Sequence, residues 1–346
     1  MWAPFVAAET KRYQAAEGGG HAPPLPEGFE WFEPSDEEVA DLHRHSYVAD
    51  RSGHYRLRYT LAQYRDWRAT VRVGVRAAAT GKPMGVLLGR HTLVRLDGGA
   101  RAEWFTEVNF AAVHRKLRGK RLLSVMTRRL IDRSLRARPD VQHGLFTALE
   151  GRPRFLTPLR ADPLWQVHLR VPRLLASGMV DASVLMDAPP ADPPRPPAAE
   201  PVEATCAGDL PDVDYAPYAL APDLAAGFDV HLRGDGKRTH VWPALGAFVC
   251  LYETTVRAPR DTDVRVATVA YLQGGRAGAG RVLAWAAQHA RARGCDLLYA
   301  YPRGGVTERD LAALNAYRTN VRQGVYTVNN GFCAGDAICA AAYHVD

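Results

Sequence analysis

Residues 105 to 138 read FTEVNFAAVHRKLRGKRLLSVMTRRLIDRSLRAR, and the seven positions 115 to 121 at the centre hold five cations. An apolar strand pattern ends at this cluster and a helical pattern begins after it. A helix start exposes unpaired backbone N–H groups and a partial positive charge, so it suits phosphate. Gly119 lets backbone approach a ligand, with Arg118, Lys120 and Arg121 beside it. Loop amides and these side chains together match the two phosphates of a pyrophosphate, the chemistry that a coenzyme A site requires. A solvated basic face competes with this reading. Arg128, Arg129, Arg133 and Arg136, opposite Leu123, Met126, Leu130 and Ile131, have that pattern. A DNA-reading helix ranks lower, because the positive charge sits on the loop as well and no helix-turn-helix partner accompanies it.

Other reactive residue types carry less. The chain has five cysteines, an odd number that argues for reduced thiols rather than a disulfide framework. Cys250 and Cys295 lie in apolar strand patterns and read as small core residues. Cys333 and Cys339 lack a CxxC or paired-histidine partner, and His43 with His45 is equally unsupported, so no metal is expected. The segment GGRAGAG offers one arginine against the five cations of the earlier loop and reads as a turn.

The elements that must position the cationic loop can be read from periodicity. ATVRVGVRAA and MGVLLGRHTLVRL are strands about a turn at Thr80–Lys82, and EWFTEVNFAAV is a third. A helix then runs from about Leu122 to Arg138, and GLFTALE is the next strand. LGAFVCLYET, DVRVATVAYLQ, the glycine loop, a helix stopped by Gly294 and CDLLYAY repeat this order. Residues 186–203, MDAPPADPPRPPAAEPVE, are proline-dense and read as a semi-rigid connector. The expected organisation is therefore a first half at 1–185, the connector, and a second half at 204–346. Both halves are built on one α/β pattern.

A length of 346 residues suits two packed halves, and a net charge of +7 favours an anionic partner. The first residues lack a secretory signal pattern, and no stretch reaches the ~20 apolar residues that a membrane span needs. A cytoplasmic, monomeric protein without membrane insertion is expected.

At EVNFAAVHRKLRGKRLLSVMTRRLIDR the sequence resembles the acyl-CoA-binding segment of glycylpeptide N-myristoyltransferases. There a strand E-I-N-F-L-C-V-H runs into a loop K-x-L-R-S-K-R and a helix. Glu107, Asn109, Phe110, Val113, His114, Lys116, Leu117, Arg118, Lys120 and Arg121 match it position by position. PLPEGFEW resembles the family's entry segment, and SYVADRSGHYRLRYTLAQYRDW its N-Y-V-E-D-D loop. Fainter likenesses occur at GAFVCLYETTV, LAWAAQHARARGCDLLYA and GFCAGDA.

The resemblance implies an α/β fold of two GNAT-like halves related by a pseudo-twofold axis. Their mixed, saddle-like sheet would carry flanking helices. It implies myristoyl-CoA as co-substrate in the first half and a glycine-starting peptide received by the second. The amides of Phe110 and Ala111 would form the oxyanion hole, worth roughly 3 kcal/mol per donor. Ala112 and Val113 would line the pantetheine with Ala111. Arg118, Gly119, Lys120, Arg121, Leu122 and Leu123 would cradle the phosphates, and Trp2 would cover the coenzyme. Asn109 and Thr147 would stand beside the attacking amine. Tyr47, Val48, Asp50, Tyr55 and Leu57 would contact the peptide.

The likeness breaks at three places. Ala49, Arg51 and Ser52 replace members of an acidic run and Arg58 replaces a further acid; these acids help receive basic peptide residues, so neutral or acidic peptides are expected to be accepted relatively better. DYAPYALAPDL matches poorly where the family carries further peptide contacts. The sequence finishes at AAAYHVD, about where the family's last core strand does, so the carboxylate base is expected to come from elsewhere. Asp336 is the first candidate.

The leading expectation is direct acyl transfer from acyl-CoA to an N-terminal glycine, with no cysteine placed as a nucleophile. The alternatives are a catalytically weak acyl-CoA or peptide binder and, ranked last, a basic nucleic-acid-binding protein. No nucleic acid is expected among the partners.

Overall fold

The computed structural model describes residues 24–46, 56–141, 143–149, 160–185, 194–215 and 220–328. In the first half the strands are β1 (Phe29–Phe32), β2 (Arg56–Arg58), β3 (Val71–Ala77), β4 (Pro83–Leu96), β5 (Arg101–Val113), β6 (His143–Leu149) and β7 (Arg160–His168). The second half adds β8 (Val202–Glu203), β9 (Leu220–Pro222), β10 (Lys237–Trp242), β11 (Ala247–Arg257), β12 (Asp263–Gln273), β13 (Leu297–Ala300) and β14 (Tyr317–Val328). The helices are α1 (Asp36–Ser46), α2 (Leu61–Asp66), α3 (Leu122–Ala137), α4 (Val171–Ser177), α5 (Phe228–His231), α6 (Ala279–Ala292) and α7 (Glu308–Ala313).

Each half contains the same unit. β3, β4 and β5 form an antiparallel meander, and α3 crosses over to β6, parallel to β5. β10, β11 and β12 repeat the meander, and α6 crosses over to β13, parallel to β12. The next strand of each unit then leaves its own half. β7 pairs with β13, β14 pairs with β6, and the two exchanged strands pair with each other. The path β1-β3-β4-β5-β6-β14-β7-β13-β12-β11-β10-β8 is thereby one mixed sheet. This is the expected pair of α/β halves. The exchange was not legible in the sequence, because neither β7, which contains Pro163, nor β14 alternates cleanly.

Helix α3 buries Met126, Leu130 and Ser134. It lies close to β4 because that strand carries Gly85 and Gly89. A Cβ on Gly85 would stand 2.8 Å from the Met126 sulfur, and one on Gly89 would stand 3.2 Å from Leu130. These two contacts fix the end of β5 relative to the start of α3, and the functional site depends on that relation. Leu57, on β2, packs against a buried cluster that joins Leu174 of α4 to Val256 and Val264 of the second half.

Candidate functional site

The parallel ladder between β5 and β6 runs from Phe105↔His143 to Val108↔Phe146 and stops. The next facing positions are Asn109 and Thr147. At the same point β5 bulges: Leu88 pairs with Asn109 and Val86 with Ala112, so Phe110 and Ala111 together oppose Leu87. Bulges re-aim backbone groups and recur beside active sites.

Phe110 has φ of +52°, in the left-handed region, where a bulky residue costs about 1–3 kcal/mol. Its neighbours hold it there. The Phe110 N–H donates to Asn109 Oδ1 at 2.7 Å, and His43 Nε2 lies 3.2 Å from the Phe110 carbonyl oxygen. A carbonyl only accepts, so His43 Nε2 carries the proton. His43 Nδ1 is then the acceptor for the Tyr64 hydroxyl at 2.9 Å. The Phe110 ring packs against Tyr64 at 4.9 Å and against Tyr59 and Trp67, each at 5.4 Å. Burial pushes the His43 pKa down to about 4, against the opposing effect of its bond to Phe110, so the ring is neutral near pH 7.

One pair of residues back along β5, Glu107 makes a buried ion pair with Arg90. Arg90 Nη1 also donates to the Trp67 carbonyl at 3.2 Å, and the guanidinium lies 4.8 Å over the Trp67 ring. Glu107, one of the motif positions, thus ties β5 to β4 beneath the bulge.

Beyond Val113 the chain enters a short 3₁₀ turn, Arg115–Leu117, then Gly119 with φ of +75° and Arg121 with φ of +63° before α3. No side chain caps the first turn of α3. Lys120, Arg121 and Leu123 are exposed, and among the described residues no carboxylate pairs with Arg115, Lys116 or Lys120. The local field is positive enough to register on His114. Burial lowers the pKa of that imidazole, and Lys82, Arg115, Lys116 and Arg118 lower it further. Arg118 differs from its neighbours. Its guanidinium turns back onto the Ser46 carbonyl and, at 3.2 Å, the Val113 carbonyl, bracing the loop against α1.

Asn109, Phe110, Ala111, Ala112 and Val113 thus lie on the stretch of β5 past the end of the β5–β6 ladder, and Thr147 is the first residue of β6 past it. Gly119 to Leu123 lie where the loop passes into α3. Trp2, Tyr47, Val48, Asp50, Tyr55 and Asp336 lie outside the described residues, as do Cys333 and Cys339. Sequence reasoning missed His43, Tyr64, Trp67 and Arg90. One usable signal was Thr60-x-x-Gln63, a capping box that starts α2 and thereby places Tyr64 and Trp67.

A small cavity of about 20 Å³, room for about one water molecule, adjoins the bulge and touches Asn109, Phe110, Trp67, His231 and Tyr271. Tyr271 also lines a cavity of about 300 Å³ in the second half, beside Gly274 and Gly275. The glycine loop is a turn there, as expected: Gly275 sits so close to the Leu245 carbonyl that a Cβ would lie 2.2 Å from its oxygen.

Residues 11–157 match the family model described as myristoyl-CoA:protein N-myristoyltransferase, N-terminal domain. The chain is 33% identical over 122 residues to a glycylpeptide N-tetradecanoyltransferase of Ajellomyces capsulatus, and 34% identical over 121 residues to one of Emericella nidulans. Each alignment covers 32% of this chain, and the matched part spans 23% and 24% of the relatives' own length. In fold the similarity extends much further. The Saccharomyces cerevisiae N-myristoyltransferase structure with bound myristoyl-CoA superposes with a TM-score of 0.75 at 17% identity. That superposition covers 96% of this chain and 93% of the other.

Proposed function

We propose that this chain, which belongs to the myristoyl-CoA:protein N-myristoyltransferase family, moves a long-chain acyl group from acyl-CoA to the amine of an N-terminal glycine. The observation that carries this reading is the left-handed Phe110 in the bulge where the β5–β6 ladder ends, with a cationic loop one short segment further on. An extended pantetheine fits against unpaired strand edge, and its phosphates fit the loop. The thioester carbonyl then comes to the bulge, where it shares or displaces the bond that Asn109 makes to the Phe110 N–H.

Attack by the glycine nitrogen forms the C–N bond and places negative charge on the carbonyl oxygen. The amides of Phe110 and Ala111 are the donors for that charge, the Phe110 N–H once it turns from Asn109 Oδ1 to the thioester oxygen. Collapse breaks the C–S bond, coenzyme A leaves as the thiolate, and the amine's surplus proton goes to a base or to solvent. A glycine amine with pKa near 8 is mostly protonated at neutral pH, so proton removal precedes attack. Asp336 is our candidate base, from its place in GFCAGDA. With a carboxylate base, the kcat/KM profile gains an acidic limb that Asp336→Asn removes. An unchanged profile in that variant excludes Asp336.

The test is coenzyme A release from myristoyl-CoA with a panel of glycine-starting peptides, against N-acetylated and alanine-starting controls. Release dependent on a free glycine amine is expected. Tight myristoyl-CoA binding with no turnover of any glycine peptide would leave a binding protein instead.

A further inference from the structure

The small cavity beside Asn109 and Phe110 is not isolated. Gln63, Gly234, Asp235 and Lys237 line it and also line a wider, open cleft of about 460 Å³. Six cations line that cleft: Arg58 from β2, Arg233, Lys237 and Arg238 around the start of β10, and Arg265 and Arg293 from the second half. Three acids oppose them, Glu203, Asp235 and Glu253, so the lining carries an excess of three positive charges (six less three).

Those acids are already engaged. Glu253 accepts from Arg265 at 2.9 Å and pairs with Arg293 as well. Glu203 accepts from Arg238 at 3.2 Å, and Asp235 accepts the Thr60 hydroxyl. The exposed Arg233 guanidinium donates to a neutral group, the Thr205 carbonyl, at 3.0 Å. Arg58 has a long contact of 3.5 Å with Asp263 and keeps 48% of its side-chain surface exposed. An ammonium entering this cleft meets two carboxylates already paired with arginines, and Asp235 bonded to a neutral hydroxyl. A carboxylate entering it meets guanidinium groups with donors to spare.

We propose that the cleft receives the acceptor chain beyond its first residue and selects acidic side chains there. The proposal rests on the acyl-transfer reading for the identity of the bound chain. It goes beyond the substitution of Arg58 for an acid, because cations distant in sequence converge on one space that shares four lining residues with the cavity beside Asn109 and Phe110. Acidic peptide is favoured over nucleic acid, because Glu203, Asp235 and Glu253 also line the cleft and would repel a continuous phosphate backbone.

Three glycine-starting peptides of one length, with glutamate, serine or lysine at the downstream positions, test it in the full chain. Equilibrium binding is read by fluorescence anisotropy, and turnover by coenzyme A release. The glutamate peptide is expected to bind about tenfold more tightly than the lysine peptide at low salt, as several weak exposed pairs combine. The gap should shrink at ~0.5 M salt, where the screening length is only a few Å. Arg58→Gln with Arg233→Gln should compress the order, and Arg233→Glu should move it toward lysine. A lysine peptide bound as tightly as the glutamate one overturns the proposal. So does an order unmoved by these variants, or duplex DNA that displaces the probe where acidic peptide does not. Turnover of the serine peptide with no charge order in binding sinks this proposal alone. A charge order in binding with no turnover of any peptide sinks the transferase reading and leaves the cleft's preference standing.

Discussion

The two halves are built alike to the level of a single irregularity. In the first, the parallel ladder ends at Val108 and the bulge begins two residues later at Phe110. In the second, the ladder ends at Thr268 and β12 carries its extra residue at Ala270, again two residues on. Past the bulge the two copies diverge. The first half has a non-glycine residue held at positive φ and then a loop of five cations, whereas the second has GGRAGAG with Arg276 alone. One scaffold thus occurs twice, and the features suited to a thioester and a phosphate occur on one copy. The fold offers a bulge at a ladder's end, and side chains decide whether it becomes a site.

Ion pairs give the sharpest contrast between the copies. Arg90–Glu107 is buried on both sides, while Glu253 of the second half pairs with the partly exposed Arg265 and Arg293. Glu107→Gln strands a buried guanidinium and should cost about 3–5 kcal/mol in chemical denaturation. Glu253→Gln should cost about 1 kcal/mol, since water can reach its arginines. Equal losses would mean that the two copies are braced in the same way.

His43 is the second point of contrast, because it bonds the backbone of the strained residue itself. His43→Phe keeps the ring packing and leaves the Phe110 carbonyl and Tyr64 hydroxyl without their shared partner. We expect about 1–3 kcal/mol of lost stability, and a fall in kcat larger than any change in KM for acyl-CoA. His43→Gln, which can still donate to the carbonyl, should recover part of kcat. Loss of stability with kcat intact would reduce His43 to a core residue.

Each half also buries one histidine whose pKa lies at about 4, down from 6.5: His43, through burial, and His240, through burial and then the charges of His289, Arg238 and Arg293. The unfolded chain takes up these protons first as pH falls. The stability gained from keeping both rings neutral is therefore complete above about pH 6.5 and lost progressively down to about pH 4. Denaturation midpoints should fall across that window, with a shallower slope in the His43→Phe, His240→Phe double variant. An unaltered slope would assign the acid sensitivity to carboxylates.

The repeated units were legible because their signals are local. Alternation marked β3, β4, β5, β11 and β12, and Gly294 stopped α6 close to its observed end at Ala292. The matched motif also located the strained residue. Its conformation was not legible, since a phenylalanine carries no sequence mark of positive φ, and only the Asn109, His43 and aromatic contacts impose it. The exchange of β7 and β14 was hidden for a related reason. Long-range pairing leaves no period in either strand. The cationic cleft is assembled from residues 58, 233, 237, 238, 265 and 293, a grouping that only the folded sheet creates.

On the acyl-transfer reading, the acyl-CoA site belongs to one copy of the duplicated unit. Myristoyl-CoA affinity tests it directly when measured for the unaltered chain, for Lys120→Ala with Arg121→Ala, and for Arg276→Ala. If Lys120 and Arg121 hold the coenzyme phosphates, removing both should weaken binding roughly 10–100-fold, at about 1 kcal/mol or more per charged contact. It should also flatten the salt dependence, while Arg276→Ala should leave affinity within about twofold, as expected for an exposed turn residue. Unchanged affinity in the double variant would remove the cationic loop from the coenzyme site, and a larger loss in Arg276→Ala would put the coenzyme in the other half.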